Sequence, residues 1–399
     1  MIRNLNRRQA LIGVGAAVGW ILRGPIQRAE AAAPRAMILE TRIISRQPQY
    51  YHGWPTLVRC RNGELIVLYS GGREDHVCPF GRLEMMRSRD AGETWGEPTV
   101  VFETGIDDRE AGLLETARGT LLANTFTSLD YVDLLSEAER IPAGTPGAWA
   151  PDRLKRWQAA RDRLTAEQRQ AALGMWMIRS VDGGRTWSNP YRSPVSSPHG
   201  PIQLSDGRLL HAGKEVVGTG RTGICESTDD GQTWQWLAEI PGRPGDNPLT
   251  DYHELHMVEA DERRLVVQIR NHNTTNSHET LQTESSDGGK TWTPPHAIGV
   301  WGLPPHLLRL KDHRLLMTYG YRRKPFGNQA RLSDDQGRTW SEALTISDDG
   351  VGGDLGYPST VQLEDGSFLS VWYEGGSYQG LTASPHAVLR QSHWTLAGN

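Results

Sequence analysis

Apolar and polar residues alternate with a period of two along almost the whole chain beyond residue 34, and short turn sequences break the alternation at regular intervals. Six stretches share one form, an apolar strand, a tight turn and a second apolar strand: Pro55–Tyr69, Ala111–Phe126, Pro201–Gly213, Leu255–Arg270, Pro305–Tyr319 and Pro358–Tyr373. Turns such as Asn62-Gly63, Arg118-Gly119, Asp206-Gly207 and Asp365-Gly366 make each a β-hairpin. A third strand-like stretch follows each hairpin. After five of the six comes an octad, S-x-D-x-G-x-T-W, and then a fourth strand. Six four-stranded units predict an all-β, six-bladed β-propeller over residues 34–399. The sixth unit lacks an octad, and the strand-like Met37–Ile44 is placed to supply its fourth strand and remove an exposed edge.

The octads lie at Ser88–Trp95, Ser180–Trp187, Ser227–Trp234, Ser285–Trp292 and Ser333–Trp340. In each, the Asp carboxylate can accept bonds from turn N–H groups, the Gly supplies a positive φ, and the Trp offers an apolar plate to a neighbouring sheet. Five equivalent copies mark a repeated architectural part, because an active site needs different groups converging once.

Two segments break the rhythm. Residues 128–172 carry Ala, Arg, Gln and Leu at helical spacing, with a capping-box pattern at Thr165-Ala166-Glu167-Gln168. They predict a helical insertion in the second blade, either a decoration or a lid over a pocket. Residues 1–33 read as a twin-arginine-type signal peptide. Arg3, Arg7 and Arg8 form a basic start, Ala10–Leu22 an apolar run too short to span a bilayer, and Ala29, Ala31, Ala32 and Ala33 a small-residue cleavage region. This order predicts a bacterial periplasmic or secreted protein. No other run approaches transmembrane length, so no membrane span is expected in the mature chain.

Composition narrows the partners. Forty-three basic residues against 47 acidic ones leave a net charge of −4, which gives no basic excess for nucleic acid. Three cysteines, Cys60, Cys78 and Cys225, cannot form a disulfide framework, and without a C-x-x-C no structural zinc site is expected.

Strand direction sorts side chains between the two ends of the predicted disc. Octads and hairpin turns fall at one end. The other collects the starts of first strands and the ends of second strands: His52-Gly53-Trp54, Asp107-Asp108-Arg109, His199, His253-Glu254, His306 and Gly356-Tyr357, with Arg73-Glu74-Asp75-His76, Lys214-Glu215, Arg270, Arg322-Arg323 and Tyr373-Glu374. So much Arg, His, Tyr and carboxylate at one mouth points to an anionic ligand and acid–base chemistry. His253 and His256, three apart on a strand, point to opposite faces and cannot share a metal.

With these residues the chain resembles the sialidase (neuraminidase) superfamily, whose Asp-boxes the octads match. The resemblance covers nearly all of the chain beyond the signal segment except the helical insertion. It implies that Tyr357, in G-Y-P-S-T-V-Q-L-E-D-G, is a nucleophile, that Glu254 activates it, and that Asp75 is the acid–base. It implies carboxylate-binding roles for Arg270 and for Arg322 or Arg323, and matches Arg73 to the arginine that ends the first hairpin. The family's R-I-P motif is replaced here by His52-Gly53-Trp54-Pro55, so the first clamp arginine is missing, and Arg109 or His52 is placed nearby to compensate.

The resemblance implies an exo-glycosidase that cleaves a terminal acidic sugar, sialic acid or a relative, by a retaining mechanism with a Tyr nucleophile. It needs no cofactor and no metal, and its partner is an acidic glycan. Two other functions fit the same residues. One is a polysaccharide lyase or atypical hydrolase acting on uronic-acid glycans, with His76, His199 or His253 as base. The other is a non-catalytic glycan-binding propeller. Nothing in the sequence encodes an oligomeric state.

Overall fold

The computed structural model describes residues 34–261, 263–273, 279–376 and 387–397. The expected signal segment lies outside them. The described chain is all-β and propeller-like, with strands paired in chain order. Four sheets contain four antiparallel strands each. They are Asp107–Glu115, Leu121–Ser128, Met175–Ser180 and Tyr191–Arg192; then Ile202–Gln203, Leu209–Lys214, Thr222–Ser227 and Gln235–Glu239; then Tyr252–Glu259, Leu265–Asn271, Glu279–Ser285 and His296–Trp301; then Pro305–Arg309, Leu315–Tyr321, Phe326–Ser333 and Leu344–Gly350.

The fifth sheet has eight strands. One part is Leu355–Gln362, Phe368–Gly375 and Ala387–Ala397, with Arg35–Ile43 outermost. The other is Tyr51–Arg59, Leu65–Arg73, Arg82–Ser88 and Thr99–Phe102. A single parallel pair, Tyr51 with Ala387, joins them. The early strand runs antiparallel to the last one from Arg35 opposite Ala397 to Ile43 opposite Arg390, and so covers that edge.

The core lies between sheets. Leu65, Ile66, Val67, Leu68 and Tyr69 are all buried, although a strand with one wet face would bury every second residue. Leu65, Val67 and Tyr69 pack with Val361, Leu369 and Val371 from the other part of the eight-stranded sheet. Ile66 and Leu68 pack with Leu113, Leu121 and Ala123 of a neighbouring four-stranded sheet. Each such side chain contributes about 1.5–3 kcal/mol by burial.

The octads are turn locks. Ser88 donates to Asp90 at 2.7 Å, and Asp90 accepts from the Thr94 amide at 2.9 Å and from its hydroxyl. Gly92 sits at φ 94°, and its N–H reaches Ser88 at 2.9 Å. The same bonds recur at Asp182, Asp229, Asp287 and Asp335. Trp95 reaches across to Gln391 at 2.7 Å, and Trp340 to Gln282 at 2.9 Å.

The insertion forms three helices: α1 at Asp130–Arg140, α2 at Pro151–Asp162 and α3 at Ala166–Ala172. The Thr165–Gln168 capping box is present. Trp157 of α2 is buried with Cys78, Ile106, Tyr131 and Leu135. Its indole N–H donates to Glu74 at 2.9 Å, and Arg163 reaches the Pro79 carbonyl at 2.8 Å. The helices are therefore fastened to the loop that follows Arg73. No described helix is long and apolar enough to cross a membrane.

Candidate active site

Four first strands carry the same irregularity near their start. The pairing register slips between Gly53 and Thr56, Arg109 and Gly112, His253 and Leu255, and Gly356 and Ser359. Within or beside each slip one residue has a positive φ: Trp54 at 53°, Glu110 at 47°, Glu254 at 40° and Tyr357 at 56°. Such a conformation is rare for residues with a Cβ, and a bulge at a sheet end re-aims a side chain. Gly356 makes the last one possible. It sits at φ 119°, and a Cβ on the facing Gly320 would come within 2.8 Å of its Cα.

Tyr357, Glu254 and Arg270, far apart in the chain, meet. The Tyr357 hydroxyl donates to Glu254 Oε1. Arg270 Nη1 donates to Glu254 Oε2 at 2.5 Å and to Tyr357 Oη at 3.0 Å. Arg270 Nε contacts His272 Nε2 at 2.6 Å. Arg322 donates to the Leu355 carbonyl at 2.8 Å, which holds its guanidinium 6.0 Å from the centre of the Tyr357 ring.

Burial and the Glu254 carboxylate raise the Tyr357 hydroxyl well above the usual phenol range, so it is a neutral donor. Burial opposes ionisation of Glu254 as well, but Arg270 and the bond from Tyr357 outweigh it and hold the carboxyl below its ordinary value. Burial, then the charge on Glu254, push Glu110 far up, so of the two acids Glu110 keeps its proton. The arrangement holds an ionised acceptor against a phenol with a fixed cation beside both, which is the layout of a base-assisted oxygen nucleophile.

The other expected residues are placed differently. Arg73 is fully buried: Nη1 lies 2.6 Å from Asp107, and Nη2 donates to the His76 carbonyl at 2.7 Å. It braces the loop instead of facing ligand. His52 is also buried, bonded to Ser45 at 3.0 Å against the Tyr69 ring, and burial lowers it to about 3. Strand alternation turns it into the blade, so it cannot replace the missing arginine. Asp75 pairs with Arg153 of α2 at 3.0 Å and accepts from the His76 amide at 2.8 Å. Arg323 stacks on Trp301, 5.3 Å from the ring centre, whereas Arg322 turns toward Tyr357. Arg109 lies 4.9 Å from the Trp54 ring and 3.8 Å from Asp107. His76 sits edge-on to Trp54 at 5.0 Å.

Of the expected bases, His253 donates to the Thr250 carbonyl at 2.8 Å and lies against His272. His199, His256 and His306 pack together, with ring centres 4.8–5.3 Å apart, and all three are buried. Burial lowers their affinity for a proton. His256 accepts from the Leu307 amide at 2.9 Å, a packing role. Among the described residues, no group of three or more His, Cys, Asp or Glu is placed to hold a metal ion. A cavity of about 840 Å³ lies among the octad turns between Asn62, Arg87, Arg89, Asp182 and Arg185, away from Tyr357.

Sequence reasoning missed Glu110, Asp354 and Tyr51. Glu110 had a signal: it stands one residue after Arg109, at the strand position that corresponds to Glu254. Asp354 lies just before Leu355–Gln362 and accepts from Tyr51 at 2.9 Å and Tyr373 at 2.8 Å.

Sheets in chain order, octad locks and polar groups aimed from first-strand bulges define a propeller of the BNR and sialidase type. The chain belongs to the BNR repeat-like domain family, whose profile matches residues 152–370. Among curated protein sequences, none matches it. Several solved structures share the fold. A protein of unknown function from Dyadobacter fermentans is 22% identical with a TM-score of 0.70, over 90% of this chain and 99% of that one. The NanB sialidase of Streptococcus pneumoniae is 15% identical with a TM-score of 0.61, over 90% and 70%. The intramolecular trans-sialidase of Ruminococcus gnavus is 14% identical with a TM-score of 0.59, over 89% and 96%.

Proposed function

We propose that this protein is an exo-glycosidase of sialidase type that removes a terminal acidic sugar from a glycan through a covalent intermediate on Tyr357. The observation that carries the reading is the contact of Tyr357 with Glu254 and Arg270, three residues brought from separate strands to one point. A binding module has no use for an ionised carboxylate held against a phenol. In the proposed reaction Tyr357 Oη attacks the anomeric carbon and its proton passes to Glu254. A neutral phenol avoids the repulsion that a carboxylate nucleophile would meet from an acidic sugar. Arg270 and Arg322 supply positive charge for the sugar carboxylate. Water then releases the sugar, and Tyr357 recovers its proton from Glu254.

The similar solved structures that are sialidases support this class. The stretch His52-Gly53-Trp54-Pro55 lacks the arginine that the resemblance calls for, and that favours a second reading: a lyase or atypical hydrolase of uronic-acid glycans. We also read the eight-stranded sheet as two blades that meet at the Tyr51–Ala387 pair, six in all, and the twin-arginine pattern as an export signal.

The test is incubation of the protein with sialosides and with uronate oligosaccharides, followed by product mass and ultraviolet absorbance. Release of a free acidic sugar by wild type, lost in Tyr357→Phe with the thermal transition kept, is expected. An unsaturated, absorbing product would establish the lyase instead. Unchanged turnover in Tyr357→Phe would remove Tyr357 from the chemistry.

A further inference from the structure

The nucleophile needs a partner that protonates the leaving oxygen, and Asp75 is badly placed for it. One of its oxygens is held by Arg153 at 3.0 Å and the other by the His76 amide at 2.8 Å. Its role is to pin the loop after Arg73 to the helical insertion. The next residue is arranged differently. His76 Nδ1 lies 2.7 Å from Tyr51 Oη and 3.5 Å from Asp354 Oδ1. Tyr51 in turn donates to Asp354 Oδ2 at 2.9 Å, and Tyr373 donates to Oδ1 at 2.8 Å. With the Tyr51 O–H directed at Asp354, Tyr51 Oη accepts from Nδ1–H, and this fixes the tautomer so that Nε2 is the nitrogen left to exchange a proton.

Exposure sets His76 and Asp354 apart from the two tyrosines that hold them. Tyr51 and Tyr373 are fully buried, while the His76 and Asp354 side chains are each 44% exposed. His76 and Tyr357 both lie edge-on to the buried Trp54 indole, at 5.0 and 6.4 Å between ring centres, so one side chain holds the imidazole and the phenol at the same mouth. Burial works against the Asp354 carboxylate, but its bonds with His76, Tyr373 and Tyr51 hold it below the ordinary carboxyl range, so it stays an anion beside the imidazole.

We propose that His76, oriented by Tyr51 and Asp354, is the general acid–base of this site. The assignment rests on the reading of Tyr357 as nucleophile. In the first step the bond from the anomeric carbon to the leaving oxygen breaks as the bond to Tyr357 Oη forms. His76 Nε2–H gives its proton to the leaving oxygen, which departs as an alcohol, and the Tyr357 proton goes to Glu254. In the second step neutral Nε2 takes a proton from water, the water oxygen bonds to the anomeric carbon, and Tyr357 leaves with the proton returned by Glu254. The sum is hydrolysis, with every proton accounted for.

The test compares two sialosides. A 4-methylumbelliferyl α-sialoside has a leaving group that needs little protonation, whereas the galactosyl leaving group of sialyllactose needs it fully. In full-length His76→Gln, kcat/KM on sialyllactose is expected to fall about 10²- to 10⁴-fold. On the aryl sialoside it should fall less than tenfold, and turnover there should recover with added azide, which replaces the water activated by His76. Asp354→Asn should show the same split at smaller size. Equal losses on both substrates in His76→Gln would overturn the assignment, as would the split appearing in Asp75→Asn and not in His76→Gln. Wild type that cleaves neither sialoside would overturn the reading of Tyr357 instead, and this assignment with it.

Discussion

Glu110 and Glu254 are buried acids that act on each other beside Arg270 and Tyr357, and the Glu254 charge helps push Glu110 up. They cannot both ionise cheaply. Arg270 and Tyr357 stabilise the charge on Glu254, and the proton stays on Glu110. Glu110 thereby fixes which of the two acids can accept the Tyr357 proton.

A pH dependence of stability follows. Glu110 is raised above its unfolded value, so its stabilising effect is whole below the ordinary Glu range and is lost as pH rises toward its folded value. Glu110→Gln has no proton to lose. The stability of Glu110→Gln relative to wild type should therefore grow with pH above about 4.5, by up to about 1.4 kcal/mol per pH unit. Thermal melts from pH 5 to 9 check this, and parallel curves would refute it.

Arg73 should matter for stability and not for ligand binding. Arg73→Ala strips buried Asp107 of its closest cation and leaves only the more distant Arg109, a loss of about 3–5 kcal/mol. Arg73→Met with Asp107→Leu should recover part of it. Denaturant unfolding of the two variants measures the difference. A clamp arginine would instead raise KM and leave the unfolding midpoint in place.

The two adjacent arginines should part in kinetics. Arg322→Ala should raise KM for an acidic glycoside about ten- to a hundredfold, the worth of charge-assisted hydrogen bonds at about 1.5–3 kcal/mol. Arg323→Ala loses a stacking contact with Trp301 and should shift KM less than threefold. The reverse order would exchange their roles.

The octad aspartates give a third kind of effect. Hydrogen bonds from the Thr hydroxyl and amide hold Asp90 and Asp287 down at about 2. Their stabilisation is present above the unfolded value and lost as pH falls toward 2. Asp287→Ala should lower the melting temperature at pH 7 through loss of bonds worth about 1 kcal/mol each. The gap should close near pH 2 and kcat should not change. Melts at both pH values with one activity assay settle it.

Much of the fold was legible because it repeats. Hairpin turns and octads recur with fixed chemistry, and the helical insertion declared itself by period and by Thr165 with Gln168. The meeting of Tyr357, Glu254 and Arg270 followed from strand direction and the resemblance. What stayed hidden depends on side-chain orientation. Alternation along Tyr51–Arg59 sends His52 into the blade, but the bulge that lifts Trp54 leaves no mark in the alternation. Arg73 and Arg270 occupy equivalent strand ends. Only the presence of Asp107 beside one and Glu254 beside the other decides which braces the fold.

The pairing of Arg35–Ile43 with Ala387–Ala397 has a consequence for biosynthesis. Among the described strands, the outer strand of that sheet is made first, and the strand it clasps is made last. The sheets between can form as they are made, but this pairing is complete only after translation has passed residue 397. A chain stalled or clipped before Ala387 would display an unpaired edge at Arg35–Ile43, where Met37, Ile38 and Leu39 are exposed even in the finished protein. Such fragments should clump or be degraded and not persist as partly folded chains.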